Sequence, residues 1–175
     1  MAKPTLYIMC GLPFSGKTTL ARALANQCGL VHLDLDAIAR AKSLFPEEGI
    51  SDEQWSQIFH EVYRDIATLL TSGKSVIFDA VSYDRVGRDR LRIIAQQSGS
   101  SVHVIYINLS MQEIEQRRQV NQANHQRPPV RDKDFVELVT EFEMPTIEEN
   151  RLVYDGIQSV SEWIKDHIRC NVHAA

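Results

Sequence analysis

A chain of 175 residues is long enough for one domain with a sizeable hydrophobic core and short for two, so we treat residues 1–175 as a single domain. The hydrophobic fraction of 43% and the charged fraction of 24% are ordinary for a globular protein, and no apolar run approaches the roughly 20 residues of a membrane span. The formal net charge of −4 disfavours a protein that binds nucleic acid non-specifically.

The first half of the chain alternates short apolar runs with amphipathic stretches. Residues 6–10 are an apolar run bounded by turn formers, which predicts a buried strand. A helix follows, with apolar side chains at helical spacing, and Gly29 ends it. Residues 31–33 predict a second strand. A capping box at residues 51–54 opens a long helix that ends at Gly73.

The middle of the chain continues this alternation. Residues 75–79 and 102–109 predict the third and fourth strands, and a helix over residues 84–97 separates them. A second capping box, at residues 110–113, opens a helix that runs to about Val120.

The last third begins with a polar stretch, residues 121–131, that contains two consecutive prolines and cannot be helical throughout. A helix over about 132–142, a strand near 152–154 and a helix over 159–168 follow. Strands that alternate with helices predict an α/β fold, with a parallel sheet covered by helices on both faces.

The remaining reactive and aromatic side chains give weaker signals. The cysteines, Cys10, Cys28 and Cys170, have no metal-site spacing and an odd count, so we expect reduced thiols in a cytoplasmic protein. The six histidines show no ligand pairing and are expected to be structural or exposed. Trp55 and Phe59 lie at helical spacing, which we interpret as core packing rather than a stacking surface for a ligand.

The segment Gly11-Leu-Pro-Phe-Ser-Gly16-Lys17-Thr18 matches the P-loop pattern G-x-x-x-x-G-K-[ST] at every position. Glycines let the backbone curl so that successive N–H groups point at phosphate oxygens, and the following helix adds the positive end of its dipole. Lys17 is expected to reach the β- and γ-phosphates of ATP, and the Thr18 hydroxyl to bind Mg²⁺. The predicted nucleotide-binding residues are Gly11, Leu12, Pro13, Phe14, Ser15, Gly16, Lys17, Thr18 and Thr19.

Carboxylates follow two of the predicted strands. Asp34 and Asp36 come after the second strand, where side chains face the ligand crevice of an open α/β sheet. One of them could act as general base and the other as an anchor, or one could cap the helix beginning at Ala37. We favour Asp36 as the base. Asp79 ends the third strand, as an aspartate that holds Mg²⁺ would, although an ordinary turn residue is the alternative.

Arginines form the third group of candidates. Arg117 and Arg118 end a helix, and Arg127 lies in the polar stretch beyond it. Lid arginines that neutralise transition-state charge can be worth about 10³–10⁵ in rate, whereas helix-end cations also arise from the macrodipole alone. Further arginines follow Asp79, and one of them could contact an anionic acceptor while most are expected to be solvated. The predicted acceptor-binding residues are Asp34, Asp36, Arg40 and Arg85.

From residue 5 to about residue 155, these motifs together resemble the AAA-type small P-loop kinases related to zeta toxin and polynucleotide kinase. The resemblance is carried by the P-loop, Asp36, residues 76–79 with their trailing arginines, Arg117, and the sequence Phe-Glu-Met-Pro at 142–145. It implies a five-stranded parallel core with a lid at about residues 117–132, Asp36 as base, and Arg117 and Arg127 acting from the lid.

The sequence departs from that group at two positions. Phe14 occupies a P-loop position where a second glycine is more usual. Arg40 falls four residues after Asp36, whereas the related kinases usually place an arginine three residues after the base. Known members of the group phosphorylate nucleic-acid 5′-hydroxyls, nucleotide sugars and antibiotics, so the resemblance does not name the acceptor.

Other readings of the same motifs stay open. Shikimate and gluconate kinases also carry Asp-x-Asp after the second strand, but shikimate kinases have a glycine-rich turn after the third strand, where this chain has residues 79–83. A GTPase switch would need an N-K-x-D sequence after a later strand, and residues 132–134 do not supply it. A module that binds ATP without transferring phosphate is the third reading.

The sequence therefore predicts an ATP- and Mg²⁺-dependent phosphotransferase that moves the γ-phosphate of ATP to a small-molecule hydroxyl. The acidic balance favours a small acceptor over a polynucleotide 5′-hydroxyl, because a polyanion needs a basic track. Nucleic acid is thus a less favoured partner, and no membrane association is expected.

Overall fold

A computed structural model of the chain describes residues 3–170. The strands, in chain order, are β1 (Thr5–Cys10), β2 (Val31–Asp34), β3 (Val76–Asp79), β4 (Ser101–Ile107) and β5 (Arg151–Tyr154). They form a five-stranded sheet in the order β2-β3-β1-β4-β5, and every pairing is parallel. The predicted fold class is confirmed.

Seven α-helices connect and cover these strands in the described part of the chain. They are α1 (Lys17–Cys28), α2 (Leu35–Ala41), α3 (Asp52–Thr71), α4 (Arg85–Gln97), α5 (Met111–Asn124), α6 (Asp132–Thr140) and α7 (Val160–His167). Both predicted capping boxes form, at the starts of α3 and α5. None of the helices that the structure describes combines the length and apolar character needed to cross a membrane.

Helix α5 is one turn longer than the sequence predicts. It continues past Val120 to Asn124 and ends where His125 adopts a left-handed conformation. Asn121 in the added turn is buried, and its side-chain amide bonds the backbone of Arg127 in the loop that follows the helix.

The central strand β1 is packed on both faces. Its side chains alternate, so Leu6, Ile8 and Cys10 join the core beneath α2, α3 and α4, while Tyr7 and Met9 join the core beneath α1 and α7. Since both faces are buried, the carboxyl end of β1 is rigidly held, and the P-loop begins at that end.

The structure corrects the expectation of three reduced thiols. Cys28, at the end of α1, and Cys170, beyond α7, form a disulfide with their Cα atoms 4.6 Å apart, although 142 residues separate them in sequence. Helices α1 and α7 pack on the same face of the sheet, which brings the two thiols together. Only Cys10 is free among the described cysteines, and burial raises its pKa to about 12. The expected reduced thiols were one reason to predict a cytoplasmic location, and that location stays a prediction without them.

Arg88 is fully buried and is the exception among the four arginines that follow Asp79, most of which were expected to be solvated. Its Nε donates to Glu149 Oε2 at 2.8 Å, and its Nη1 donates to the carbonyl oxygens of Ser82 and Tyr83 at 3.0 and 3.1 Å. Glu149 is equally buried. The pair therefore links the loop after β3 to the segment before β5.

Replacing Arg88 should destabilise the protein strongly. Arg88→Met removes the buried partner of the Glu149 carboxylate and leaves only the half-exposed Arg85, 3.6 Å away, so we expect the free energy of unfolding to fall by about 3 kcal/mol. Urea denaturation followed by circular dichroism measures the change.

Arg92→Met is the matched control one turn later on α4, because its partner Asp89 is at the surface and that loss should be about 1 kcal/mol or less. The double variant Arg88→Met/Glu149→Gln should lose less than Arg88→Met alone. Equal losses for Arg88→Met and Arg92→Met would show that the buried pair has no special role.

Candidate active site

The P-loop turns the chain from the end of β1 into α1. Gly16 is the residue before α1 and has a φ of 101°, a left-handed conformation that glycine adopts without strain. A side chain at Gly11 would be crowded, because a Cβ there would lie 3.1 Å from Ser15 Oγ and 3.2 Å from Ile107 Cβ. The loop leads into the N-terminus of α1, where the first backbone N–H groups of the helix have no partner within the helix. Such a helix N-terminus favours the binding of an anion.

Phe14 also has a positive φ, 65°, at the position where related kinases usually have glycine. Its ring is buried against Ile114 of α5 and Phe135 of α6, with the two phenyl centroids 6.4 Å apart. Burial of the aromatic ring offsets the backbone strain. The departure from the usual glycine is therefore explained by packing of the loop against α5 and α6.

Lys17 is buried at the base of the loop. Its Nζ donates to the Leu12 carbonyl oxygen at 2.9 Å, so the side chain bridges the two ends of the P-loop. Burial lowers the pKa of Lys17 to about 8, and the nearby carboxylates of Asp79 and Asp36 oppose that shift. The Ser15 hydroxyl is also buried and has no hydrogen-bond partner among residues 3–170. A desolvated ammonium and an unsatisfied hydroxyl in one loop suit an anionic ligand such as a phosphate.

Asp34 and Asp36 have different surroundings. Asp34 caps α2, accepting from the Ala37 N–H at 3.1 Å, and its other oxygen lies 3.6 Å from Arg22 Nη2. Asp36, in the first turn of α2, lines a large cavity beside the P-loop. Its side chain is exposed, but nearby protein atoms partly desolvate the carboxylate and raise its pKa; Asp34 adds to the rise and Lys17 opposes it. The capping alternative therefore applies to Asp34, which leaves Asp36 available for proton transfer.

Asp79, Asp34 and His32 form a cluster at the carboxyl ends of β2 and β3. One ligand atom from each lies within 4.8 Å of the others, and β2 and β3 place Asp34 beside Asp79 in register. A carboxylate can only accept, so His32 Nε2 donates to Asp79 Oδ2, at 3.1 Å, and orients it. Sequence reasoning assigned His32 no role here. Two carboxylates with the Thr18 hydroxyl in the same cavity are the oxygen donors that Mg²⁺ prefers.

Arg117 and Arg127 both lie beside the P-loop, and their catalytic role stays a prediction. Arg117 Nη1 donates to the Ser15 carbonyl oxygen at 3.0 Å. The Arg127 backbone is held by the buried Asn121 amide, which accepts from its N–H and donates to its carbonyl oxygen, both at 3.0 Å. Arg118 points elsewhere, to Glu115 and Asp132, with its guanidinium 4.3 Å from the Phe135 ring centroid.

Of the two arginines predicted to bind the acceptor, one lines the large cavity and the other does not. Arg40 lines the large cavity, but a bidentate pair of 2.9 and 2.6 Å with Glu47 engages its guanidinium. Arg85 does not line the cavity, against the prediction, because it pairs with Asp89 at 2.9 Å and lies 3.6 Å from Glu149 on the far side of α4. Arg90, on another face of the same helix, lines the cavity instead.

Two cavities flank the P-loop. The larger, about 1520 Å³, is lined by Pro13, Lys17 and Thr18 together with the predicted carboxylates and Arg127. The smaller, about 670 Å³, is lined by Thr19 and by residues of α5 that sequence reasoning missed, among them Gln116, Val120 and Asn121. Their polar helix pattern carries no signal by which they could have been found.

Comparison with known proteins identifies the family. A family described as an AAA domain matches residues 6–145 of this chain. The chain belongs to this AAA domain family. A shikimate kinase from Enterococcus faecalis is 28% identical over 144 residues, covering 78% of this chain and 77% of the relative. This AAA domain protein is an ATP-dependent kinase.

Solved structures agree with the fold. Kti12 of Chaetomium thermophilum, in complex with ADP-AlF3, has a TM-score of 0.72 at 20% identity and covers 92% of this chain and 95% of its own. The APS kinase of Mycobacterium tuberculosis, in complex with AMPPNP and APS, has a TM-score of 0.65 at 18% identity, with 95% and 96% covered. At these identities the likeness is one of fold.

Proposed function

We propose that this AAA domain kinase transfers the γ-phosphate of ATP to a hydroxyl group of a small molecule. The observation that carries the proposal is that one cavity is lined by Lys17 and Thr18 of the P-loop, by Asp36 and Asp79, and by Arg127. Phosphoryl transfer needs a phosphate cradle, positive charge and a proton acceptor within one enclosed space, and these side chains supply all three.

The phosphate end of the cavity binds and neutralises ATP. Backbone N–H groups of the P-loop and the Lys17 ammonium hold the β- and γ-phosphates. Thr18 and Asp79 would hold Mg²⁺, which supplies charge neutralisation at the phosphate oxygens. Arg117 and Arg127 add positive charge that counts most when negative charge spreads over the phosphoryl oxygens in the transition state.

Asp36 supplies the proton acceptor. As the acceptor oxygen forms its bond to the γ-phosphorus, the bond to the β–γ bridging oxygen breaks and ADP leaves. The hydroxyl proton passes to the Asp36 carboxylate. The raised pKa of Asp36 suits this role, because a carboxylate is a better base as its pKa approaches the working pH.

As part of this proposal, the chain is related to the zeta toxin and polynucleotide kinase group, and residues 1–175 form a single kinase domain. The lid is assigned to about residues 117–132. The support for it is that this segment carries both proposed arginines and packs against Phe14 of the P-loop, with the Arg127 guanidinium 6.0 Å from that ring's centroid.

An acceptor screen tests the proposal. The purified protein is incubated with Mg²⁺, γ-labelled ATP and hydroxyl metabolites, nucleosides, antibiotics or 5′-hydroxyl oligonucleotides, and transfer of label is measured. We expect label on a small acceptor. Strong labelling of an oligonucleotide, with steep salt dependence, would instead identify a polynucleotide kinase. ATP binding without transfer to any acceptor would identify a non-catalytic nucleotide-binding module.

Arg127→Ala should reduce turnover more than nucleotide binding. Its charge is felt mainly in the transition state, so we expect kcat to fall by about 10²-fold or more while the Kd for ATP changes by less than about tenfold. Steady-state kinetics and calorimetric titration with ATP measure the two quantities.

Arg118→Ala is the control, since Arg118 lies in the same segment but pairs with Glu115 and Asp132. Its kcat should stay close to that of the unchanged protein. A larger loss for Arg118→Ala than for Arg127→Ala would reverse the assignment.

A further inference from the structure

Helix α3 carries two apolar stripes, and they face different surroundings. Side chains spaced by four residues, namely Ile58, Val62, Ile66 and Leu70, are buried against the sheet along the whole helix. A second stripe with the same spacing, Trp55, Phe59 and Tyr63, is only half-buried and lines the large cavity. We call Trp55, Phe59 and Tyr63 the aromatic stripe.

The aromatic stripe is confined to the part of α3 that borders the cavity. The next position in its spacing is Ala67, which does not line the cavity. The rings contact one another, with centroids 6.1 Å apart for Trp55 and Phe59 and 5.7 Å apart for Phe59 and Tyr63. The three side chains pack against the core, as expected for Trp55 and Phe59, and they also form a continuous wall of the cavity that Asp36 lines.

The charged side chains near this wall are unsuited to an anion. The cations Arg22, Arg40 and Arg131 are each paired, with Asp34, Glu47 and Asp134 respectively. In residues 3–170, four cations that line this cavity have no ion-pair partner: Lys17 and Arg127 on the P-loop side, and Arg90 and Lys133 elsewhere. Apart from Asp36, four carboxylates without such a partner line the same cavity, namely Asp52, Asp84, Glu137 and Glu141. They surround Tyr83, whose pKa is raised first by burial and then by their negative charge.

From this geometry we infer that the acceptor is a cyclic alcohol without an anionic group, whose ring packs on the aromatic stripe while its hydroxyl reaches Asp36. The inference rests on the proposed kinase function and specifies its substrate class. The face of a sugar, cyclitol or base packs well on aromatic rings, and an amine on such a ring gains from both the π-faces and the carboxylates. A carboxylate, phosphate or sulfate on the acceptor would be repelled by the four carboxylates around Tyr83, while Arg22, Arg40 and Arg131 are already paired.

A charge-fractionated screen tests the inferred charge of the acceptor. A protein-free bacterial small-molecule extract is divided by anion exchange into retained acids and an unretained fraction, and each is incubated with the full chain, Mg²⁺ and γ-labelled ATP. Glucose, glucosamine and glucuronate, which share a ring and differ in charge, and shikimate and gluconate are tested alongside. We expect label in the unretained fraction, and glucuronate, shikimate and gluconate to be poorer acceptors than any labelled neutral or amine-bearing ring by about tenfold or more in kcat/KM.

The aromatic stripe is tested with the best acceptor found. Phe59→Leu should raise the KM for that acceptor by about tenfold and leave the KM for ATP unchanged, because only ring packing is lost. Phe142→Leu is the matched control, since Phe142 is half-buried in the same core, stacks on Tyr106 and does not line the cavity. Its acceptor KM should not change.

The outcomes separate this inference from the proposed function. Label transferred only to the retained acids, or equal KM effects for Phe59→Leu and Phe142→Leu, would overturn the inference and leave the kinase function intact. No transfer to either fraction from an ATP-binding protein would overturn both.

Discussion

Lys17→Ala is expected to reduce phosphoryl transfer by about 10³-fold or more while the fold stays intact. The Lys17 ammonium is desolvated at the base of the P-loop and contacts only the Leu12 carbonyl oxygen among its hydrogen-bond acceptors in the described structure. Its charge is therefore available to the phosphates, and its removal takes away electrostatic stabilisation rather than packing. Label transfer from ATP measures the loss, and circular dichroism checks the fold.

Lys42→Ala is the control for Lys17→Ala. Lys42 lies at the surface and pairs with Glu61, away from the cavity, so transfer should be unchanged. Turnover of Lys17→Ala within about tenfold of the unchanged protein would remove the P-loop from the mechanism.

Asp36→Asn should cut transfer to the acceptor by about 10²-fold or more and leave the affinity for ATP nearly unchanged. Asparagine keeps the shape of the side chain but cannot accept the proton. The pH profile provides a second readout. Because the pKa of Asp36 is raised, its base form is lost as pH falls through a value above that of an ordinary aspartate, so kcat/KM should decline on the acid side there. That decline should be absent from Asp36→Asn.

Asp34→Asn separates the two aspartates. Asparagine caps a helix as well as aspartate does, so α2 should keep its start, and the loss of transfer should be smaller than for Asp36→Asn. A larger loss for Asp34→Asn would move the base by two residues. If neither substitution slowed acceptor phosphorylation, proton transfer to Asp34 or Asp36 would be excluded.

The parts of the site that lie close in sequence were predictable. The P-loop is one continuous motif, and Asp34, Asp36 and Asp79 follow apolar runs whose parallel pairing brings their carboxyl ends to one edge. The arginines were less predictable, because helical residues a few positions apart face different directions. Thus Arg88 is buried with Glu149 whereas Arg90 lines the cavity, and both follow Asp79 closely in sequence.

The amino-acid sequence by itself determined the alternating strands and helices, the capping boxes and the phosphate loop, because each depends on residues within a turn or two of one another. Only the tertiary structure decided which surfaces meet. It joined Cys28 to Cys170 across 142 residues, turned the aromatic stripe toward the cavity, and placed Arg117 rather than Arg118 over the P-loop. These contacts depend on how helices pack across the sheet, and local patterns carry no record of the side chains on the facing element.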